Sequence, residues 1–270
     1  MRQTTQLIEI AQNAVKIGYN LIKKAAPHEI HQKGDRDFVT EVDLKIEREI
    51  SAYLEEATPE IGFLGEEEGE RPFAGPDRLT WTLDPIDGTS NFVHGLPLCA
   101  TSLALVRDGT PIVAAISAPF LDLQYAAAEG LGSFVNGKRL RASTTDDLSK
   151  AIVSIGDYAV GKDAAAKNAK RLKLTTLLAD NVERVRMFGT AALDLVWVAE
   201  GRIDATVILA NKPWDTAAGV LIAREAGALV IDSTGSPHTH KSAETIATSP
   251  RLASDLLPLI QTSLTFSPSR

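Results

Sequence analysis

Apolar residues recur at intervals of three and four between residues 5 and 25, at Leu7, Ile10, Ala11, Ala14, Ile17, Gly18, Leu21 and Ile22. That spacing predicts an amphipathic helix, which Pro27 ends. After a charged loop from Gln32 to Asp37, a second helical pattern runs through Leu44, Ile46, Ile50, Tyr53 and Leu54. Asp43 falls near its N-terminus and Pro59 lies beyond its end. Ile61 to Leu64 is a short apolar run, residues 66–78 read as an exposed polar loop, and Leu79 to Leu83 re-enters as a strand. Two apolar runs between Cys99 and Phe120 are split by Arg107-Asp108-Gly109-Thr110, and a third spans Leu121 to Ala128. Asp-Gly supplies the positive φ of a tight hairpin turn, so this stretch reads as an antiparallel meander.

From residue 150 the pattern changes to alternation. Ala151 to Ile155 reads as a strand, Asp163 to Leu178 as a helix, Val182 to Met187 as a strand and Ala191 to Ala199 as a helix. Ile203 to Leu209, Trp214 to Ala226, Leu229 to Asp232, Thr245 to Ala247 and Arg251 to Ile260 continue it, which is α/β layering. The polar stretch Ser143-Thr144-Thr145-Asp146-Asp147 serves as a connector, dividing the chain into an α+β half, 1–149, and an α/β half, 150–270. No internal repeat or low-complexity tract is present.

The 270 residues are 44% hydrophobic, enough for a sizeable core in one large or two small domains. A formal charge of −7 without a basic stripe argues against broad nucleic-acid binding, so no nucleic-acid partner is expected. An anionic substrate would then need divalent cations. The single Cys99 excludes an internal disulfide framework and a cysteine zinc cluster, and it fits a reducing, cytoplasmic location. No stretch approaches about 20 uninterrupted apolar residues, so no membrane association is expected.

Candidate chemistry lies in three acidic clusters: Gly65-Glu66-Glu67, Asp84-Pro85-Ile86-Asp87-Gly88-Thr89 and Trp214-Asp215. In the middle one, Pro85 makes a regular strand unfavourable and holds Asp84 extended. Asp84, the Ile86 carbonyl and Asp87 could then converge on hard cations. An all-oxygen donor set suits magnesium or manganese rather than zinc. Gly88 permits close backbone approach, and the Gly88 and Thr89 amides could face a phosphate. Taken singly, each cluster also fits something plainer: a turn, a solvated surface or a helix cap. His94 reads as a capping or structural residue, Phe92 as core, and Cys99 as a buried small hydrophobe.

Together and in this order, the clusters resemble the inositol monophosphatase family. The resemblance rests on Gly65-Glu66-Glu67, on the long stretch from Trp81 to Gly95, and on Trp214-Asp215-Thr216-Ala217-Ala218-Gly219. Residues 33–43 and Gly189-Thr190-Ala191-Ala192 match as well, so the similarity spans about residues 5 to 260. It implies a five-layered α/β/α/β/α sandwich with the metal site between the halves. It also implies two or three Mg2+ ions, replaceable by Mn2+, and sensitivity to lithium. One metal would take Glu66, Asp84 and the Ile86 carbonyl; a second would share Asp84 and add Asp87 and Asp215; a third would use Glu66. Thr89, polarised by Asp43, would deprotonate the attacking water. Gly88, Thr89, Ala191, Asp215 and Lys33 would meet the substrate, with Asp37 orienting the loop of Lys33. A homodimer is implied too, and the small apolar faces of 191–199 and 217–223 could support it.

One departure concerns the substrate. Where inositol-hydrolysing members carry a glutamate seven residues before the Trp-Asp aspartate, this chain has Ile208, which cannot accept a hydrogen bond from a ring hydroxyl. Either Asn211 and Lys212 replace that contact or the substrate is another small sugar phosphate. Fructose-1,6-bisphosphate, histidinol phosphate and a 3′-phosphorylated adenosine nucleotide are the alternatives within the superfamily. A transcription- or RNA-associated regulatory factor is the alternative of another class.

Overall fold

The computed structural model describes residues 2–25, 30–34, 37–72 and 78–266. The first half runs α1 (Arg2–Lys24), β1 (Ile30–Gly34), β2 (Asp37–Thr40), α2 (Glu41–Ala57), β3 (Gly62–Gly65), β4 (Glu70–Arg71) and β5 (Leu79–Asp87). It continues through a short α3 (Thr89–Val93) into β6 (Ala100–Arg107), β7 (Thr110–Ala118), β8 (Leu123–Ala128), β9 (Gly132–Val135) and β10 (Lys138–Arg139). The second half runs β11 (Ile152–Ile155), α4 (Ala164–Asn181), β12 (Arg184–Arg186), α5 (Ala191–Glu200) and β13 (Ala205–Ile208). It ends with α6 (Pro213–Glu225), β14 (Leu229–Ile231), β15 (Thr245–Thr248) and α7 (Ala253–Leu264).

Eight strands form one sheet in the order β10-β9-β8-β7-β6-β5-β3-β4, and five form a second, β12-β11-β13-β15-β14. Side chains alternate across the large sheet, as strand geometry requires. Leu103 and Leu105 join Ala14, Ile46 and Trp81 in the core beneath α1 and α2. Ala104 and Ile116, on the other face, pack with Leu195 of α5 and Val220 of α6. The same central cluster takes Val230 and Ala247 from the small sheet, whose outer face buries Val153 and Val207 against Leu174 of α4 and Ile260 of α7. The layers are therefore α/β/α/β/α. The proposed division at residues 149 and 150 separates the two sheets, but the central core draws on both sides of it.

Three local expectations are corrected. The loop expected from Gln32 to Asp37 is, in its described residues, part of two strands, β1 and β2, which pair antiparallel with an irregularity between Gln32 and Gly34. The polar stretch after Glu66 contributes β4, paired with β3. Pro85 does not end its strand either: β3 pairs with β5 only as far as Gly65 opposite Leu83, and the pairing with β6 shifts between Asp84 and Asp87. Proline there meets one neighbour instead of two and sits in a bulge, where its missing N–H is tolerated.

The apolar faces of α5 and α6 are also spent inside the chain. A Cβ at Gly219 would come within 2.6 Å of Leu195, so the two helices meet closely and these faces cannot serve a dimer.

Candidate active site

The site lies where two parallel strand pairs end. In the large sheet β3 runs parallel to β5, which sets Gly65-Glu66 beside Leu83-Asp84. In the small sheet β11 runs parallel to β13, and beyond their ends Gly156, Asp157, Leu209 and Ala210 enter the same cavity, of about 250 Å3. Carboxyl ends of parallel strands are where α/β proteins place ligands, because side chains and helix N-termini converge there. Here α2, α3, α5 and α6 begin at the site, with Asp43 in the first turn of α2, Thr89 opening α3, Ala191 opening α5 and Asp215 in the first turn of α6. The positive ends of their dipoles favour anions.

Each acidic group is positioned by a different device. Asp43 completes a capping box: the Thr40 amide donates to its Oδ2 at 2.9 Å, the Thr40 hydroxyl donates to the same oxygen, and the Thr40 hydroxyl in turn accepts from the Val42 amide at 3.2 Å. That leaves Asp43 Oδ1 for Thr89, whose hydroxyl lies 3.2 Å from it and 2.9 Å from the Ile86 carbonyl. Glu66 is held through its neighbours. The buried Glu47 carboxylate accepts from the Glu67 and Glu68 amides at 2.9 and 2.7 Å, and a Cβ at Gly65 would land on that carboxylate. Asp87 is gripped from the far half of the chain. Its Oδ2 accepts from the Thr190 hydroxyl at 2.5 Å and the Ala192 amide at 2.6 Å, and its Oδ1 accepts from the Ala191 amide at 3.3 Å. Asp215 takes a longer bond, 3.3 Å, from the Lys212 amide.

Asp84 differs from these. It is 2% exposed, and its Oδ1 is buried without a hydrogen-bond partner. Burial, then the charges of Glu66, Asp87, Asp215 and Asp43, hold its pKa well above the usual carboxylate range. Burial pushes Asp87 up to about 6 against the pull of Thr190 and the α5 amides. Burial, then Asp87 and Glu66, push Asp215 up to about 7. Asp43 and Glu47 are raised by burial as well. Among the described residues no three His, Cys, Asp or Glu side chains are drawn together into a finished ligand set. The donor chemistry nevertheless fits a hard divalent cation. Glu66, Asp84, the Ile86 carbonyl, Asp87 and Asp215 line one cavity, offer only oxygen, and include one buried oxygen with nothing to bind.

The cavity gathers Glu66, Asp84, Ile86, Asp87, Gly88, Thr89, Ala191 and Asp215 from the sequence expectations, and Asp43 reaches it through Thr89. Gly88 has φ 89°, and a Cβ there would sit 2.8 Å from the Leu98 carbonyl, so glycine is required twice over. Lys33 and Asp37 lie in β1 and β2, and their side chains are outside the described residues.

Asn211 and Lys212 do not stand in for a lost polyol contact. Asn211 donates to the Ser242 carbonyl and accepts from Thr245, while the Lys212 ammonium lies over the Trp214 ring; both line a different cavity, of about 610 Å3. Ile208 itself lines the candidate site. His94 closes α3, its Nδ1 2.8 Å from the Ser90 carbonyl, and Phe92 and Cys99 are buried.

Glu47, Asn91, Asp157, Arg171 and Asp194 were not expected from the sequence, and Thr190 entered only as part of the matched stretch from Gly189 to Ala192. Asn91 donates to the carbonyls of Leu98 and Phe188 at 2.8 and 2.7 Å, tying α3 to the segment before α5. No periodicity marks such residues, because their partners are distant in the chain.

The fold and the cavity define a layered α/β protein with a mainly acidic site whose carboxylates and Ile86 carbonyl offer oxygen ligands. A model of the inositol monophosphatase family matches residues 3–265. The chain is similar to inositol monophosphatase 1 of Solanum lycopersicum, with 33% identity over 264 residues and 96% of each chain covered. It is similar to Nus factor SuhB of Salmonella typhimurium, with 37% identity over 256 residues, 93% of this chain and 94% of the relative. It superposes on the crystal structure of an IMPase/NADP phosphatase complexed with Mg2+ and phosphate with a TM-score of 0.81, 25% identity and 95% of each chain covered. The chain belongs to the inositol monophosphatase family and is a phosphatase.

Proposed function

We propose that the protein is a magnesium-dependent phosphomonoesterase acting on inositol monophosphate or a related small sugar phosphate. Glu66, Asp84, the Ile86 carbonyl, Asp87 and Asp215 would hold the ions. The observation that carries this reading is the buried, unpartnered Oδ1 of Asp84 amid the carboxylates of Glu66, Asp87, Asp215 and Asp43. Such an oxygen costs several kcal/mol if it stays charged and alone, and a divalent cation offsets that cost with the ligands at hand. The superposed IMPase/NADP phosphatase is complexed with Mg2+ and phosphate, which supports the same assignment. When bound, two or three Mg2+ ions would neutralise phosphate charge, lower the pKa of the attacking water and favour departure of the ester oxygen.

The chain's own residues supply the proton path. Thr89 Oγ1 takes a proton from the water as its own proton passes to Asp43 Oδ1, the carboxylate oxygen that Thr40 leaves open. Burial raises the Asp43 pKa from its ordinary value, which makes it a better base at neutral pH. Gly88, without a Cβ, lets the phosphate approach the backbone, and Ala191 brings the positive end of α5 to the same place. Lys33 and a homodimer sensitive to lithium belong to this reading through the family resemblance, as does a cytoplasmic location. Among the described residues no helix is long and apolar enough to cross a membrane.

The test is phosphate release with Mg2+ from inositol 1-phosphate, fructose-1,6-bisphosphate, histidinol phosphate and a 3′-phosphoadenosine nucleotide. Activity on at least one, lost in chelator and in Asp84→Asn, is expected; full turnover in chelator would refute the reading. A second reading, partnership with the transcription apparatus, is favoured by the Nus factor name of the Salmonella relative. Copurification with RNA polymerase by a protein lacking phosphatase activity would support it instead.

A further inference from the structure

Beyond the carboxylates, the ends of β11 and β13 give the cavity a different lining: Asp157, Ile208, Leu209, Ala210 and, from α4, Arg171. Arg171 is the one basic side chain among the described residues that line it. It is half-buried, and burial lowers its pKa, with Asp157 pulling the other way. Its NH1 donates to the Asp157 backbone carbonyl at 2.6 Å, which uses one of five guanidinium donors. Arg171 makes no ion pair among the described residues. The Asp157 carboxylate attracts the guanidinium without a direct ion pair, and its Oδ2 lies 3.5 Å from where a Cβ on Gly189 would stand.

A guanidinium that is partly dehydrated, unpaired and beside an aliphatic wall is poorly matched to a neutral polyol. The side chains of Ile208, Leu209 and Ala210 cannot bond a hydroxyl, and an aliphatic wall screens a charge less than water does. The spare donors of Arg171 form a planar fork complementary to a phosphate or a carboxylate.

We infer that Arg171 binds a second anionic group of the substrate, a phosphate or carboxylate on the leaving-group side, so that the site selects doubly anionic sugar phosphates over neutral polyol monophosphates. This deepens the phosphatase reading and rests on it. Ile208 and Arg171 then act together, one withholding a partner from a ring hydroxyl and the other supplying one for an anion.

The experiment compares kcat/KM for a sugar bisphosphate, a phosphorylated sugar acid and inositol 1-phosphate in the wild type, Arg171→Gln and Arg171→Lys, with melting temperatures to confirm folding. The wild type is expected to prefer one of the two doubly anionic substrates. Arg171→Gln is expected to lower that preference by about tenfold to a hundredfold, chiefly through KM, the worth of a hydrogen-bonded charge. Arg171→Lys is expected to restore part of it, because the charge returns without the fork. Whichever doubly anionic substrate leads identifies the group as phosphate or carboxylate. Equal losses on all three substrates, or no loss, overturn the inference and leave the phosphatase reading standing. A folded wild type that releases phosphate from none of them overturns both.

Discussion

Thr190→Val deletes one hydroxyl and nearly preserves side-chain shape, so it isolates the grip of α5 on Asp87. That hydroxyl accepts from the Leu193 amide at 3.3 Å and donates to Asp87 Oδ2 at 2.5 Å. A hydrogen bond to an ionised acceptor contributes about 1.5–3 kcal/mol. A long cap bond falls at the lower end of about 0.5–2 kcal/mol. Together they put the loss at roughly 2–3 kcal/mol of unfolding free energy at pH 8 in chelator. Ala191 and Ala192 still donate to Asp87, so the carboxylate is not orphaned and the variant should fold.

The loss should depend on pH. The Asp87 pKa is raised in the folded chain to about 6 from an ordinary 3.8, so the group favours folding most when protonated and contributes progressively less as pH climbs from about 4 through 6. Removing a donor raises the folded pKa further and widens that window. The deficit of the variant should therefore be larger at pH 8 than at pH 4.5, where chiefly the cap is missing. Urea denaturation at the two pH values reads this directly, and Thr190→Ser should recover most of the loss. Identical midpoints and slopes for wild type and Thr190→Val at pH 8 would refute the idea that a second-half hydroxyl holds a first-half carboxylate.

Gly65→Ala should displace Glu47 from the Glu67 and Glu68 amides, costing about 1–3 kcal/mol as an overpacked site and raising the Mg2+ concentration needed for half-maximal activity; an unchanged Mg2+ requirement would count against Glu47 as the support of Glu66. Cys99 is buried, and burial first, then Asp87 and Asp43, push its thiol up to about 12. A thiol reagent at pH 8 should therefore label the chain only after denaturant is added, and prompt labelling of the native chain would contradict its burial. Asp194 is buried with one unpartnered oxygen and a pKa raised by burial, so it favours folding when protonated and loses that contribution as pH rises. Asp194→Asn should gain on the wild type in thermal stability from pH 5 to pH 8; a gap that stays constant or reverses would mean that Asp194 is charged and compensated in the fold.

Local chemistry made much of the architecture legible. Asp108-Gly109 sits at the turn between β6 and β7, Asp43 lies in the first turn of α2, and the alternation after residue 150 became the second sheet with its helices. What the chain hid was tertiary. Pro85 continues its strand only because β3 stops opposite Leu83, a fact about a neighbour's length. Thr190 meets Asp87 across 103 positions, and Glu47 meets the Glu67 amide across 20, so no spacing rule joins them. The helical patterning of α4 revealed nothing of where Arg171 would open. Asn211 and Lys212, adjacent in sequence to an acidic cluster, turned out to face another cavity.

The central claim is that Glu66, Asp84, Asp87 and Asp215 together bind hard cations. A crystal of the protein soaked with Mn2+ and phosphate, with data collected at the manganese absorption edge, tests it most directly. Anomalous peaks are expected within ligating distance of Asp84 Oδ1, with Glu66, Asp87, Asp215 and the Ile86 carbonyl completing the oxygen ligands. A fully soaked crystal whose manganese lies elsewhere, leaving Asp84 unligated, would contradict it.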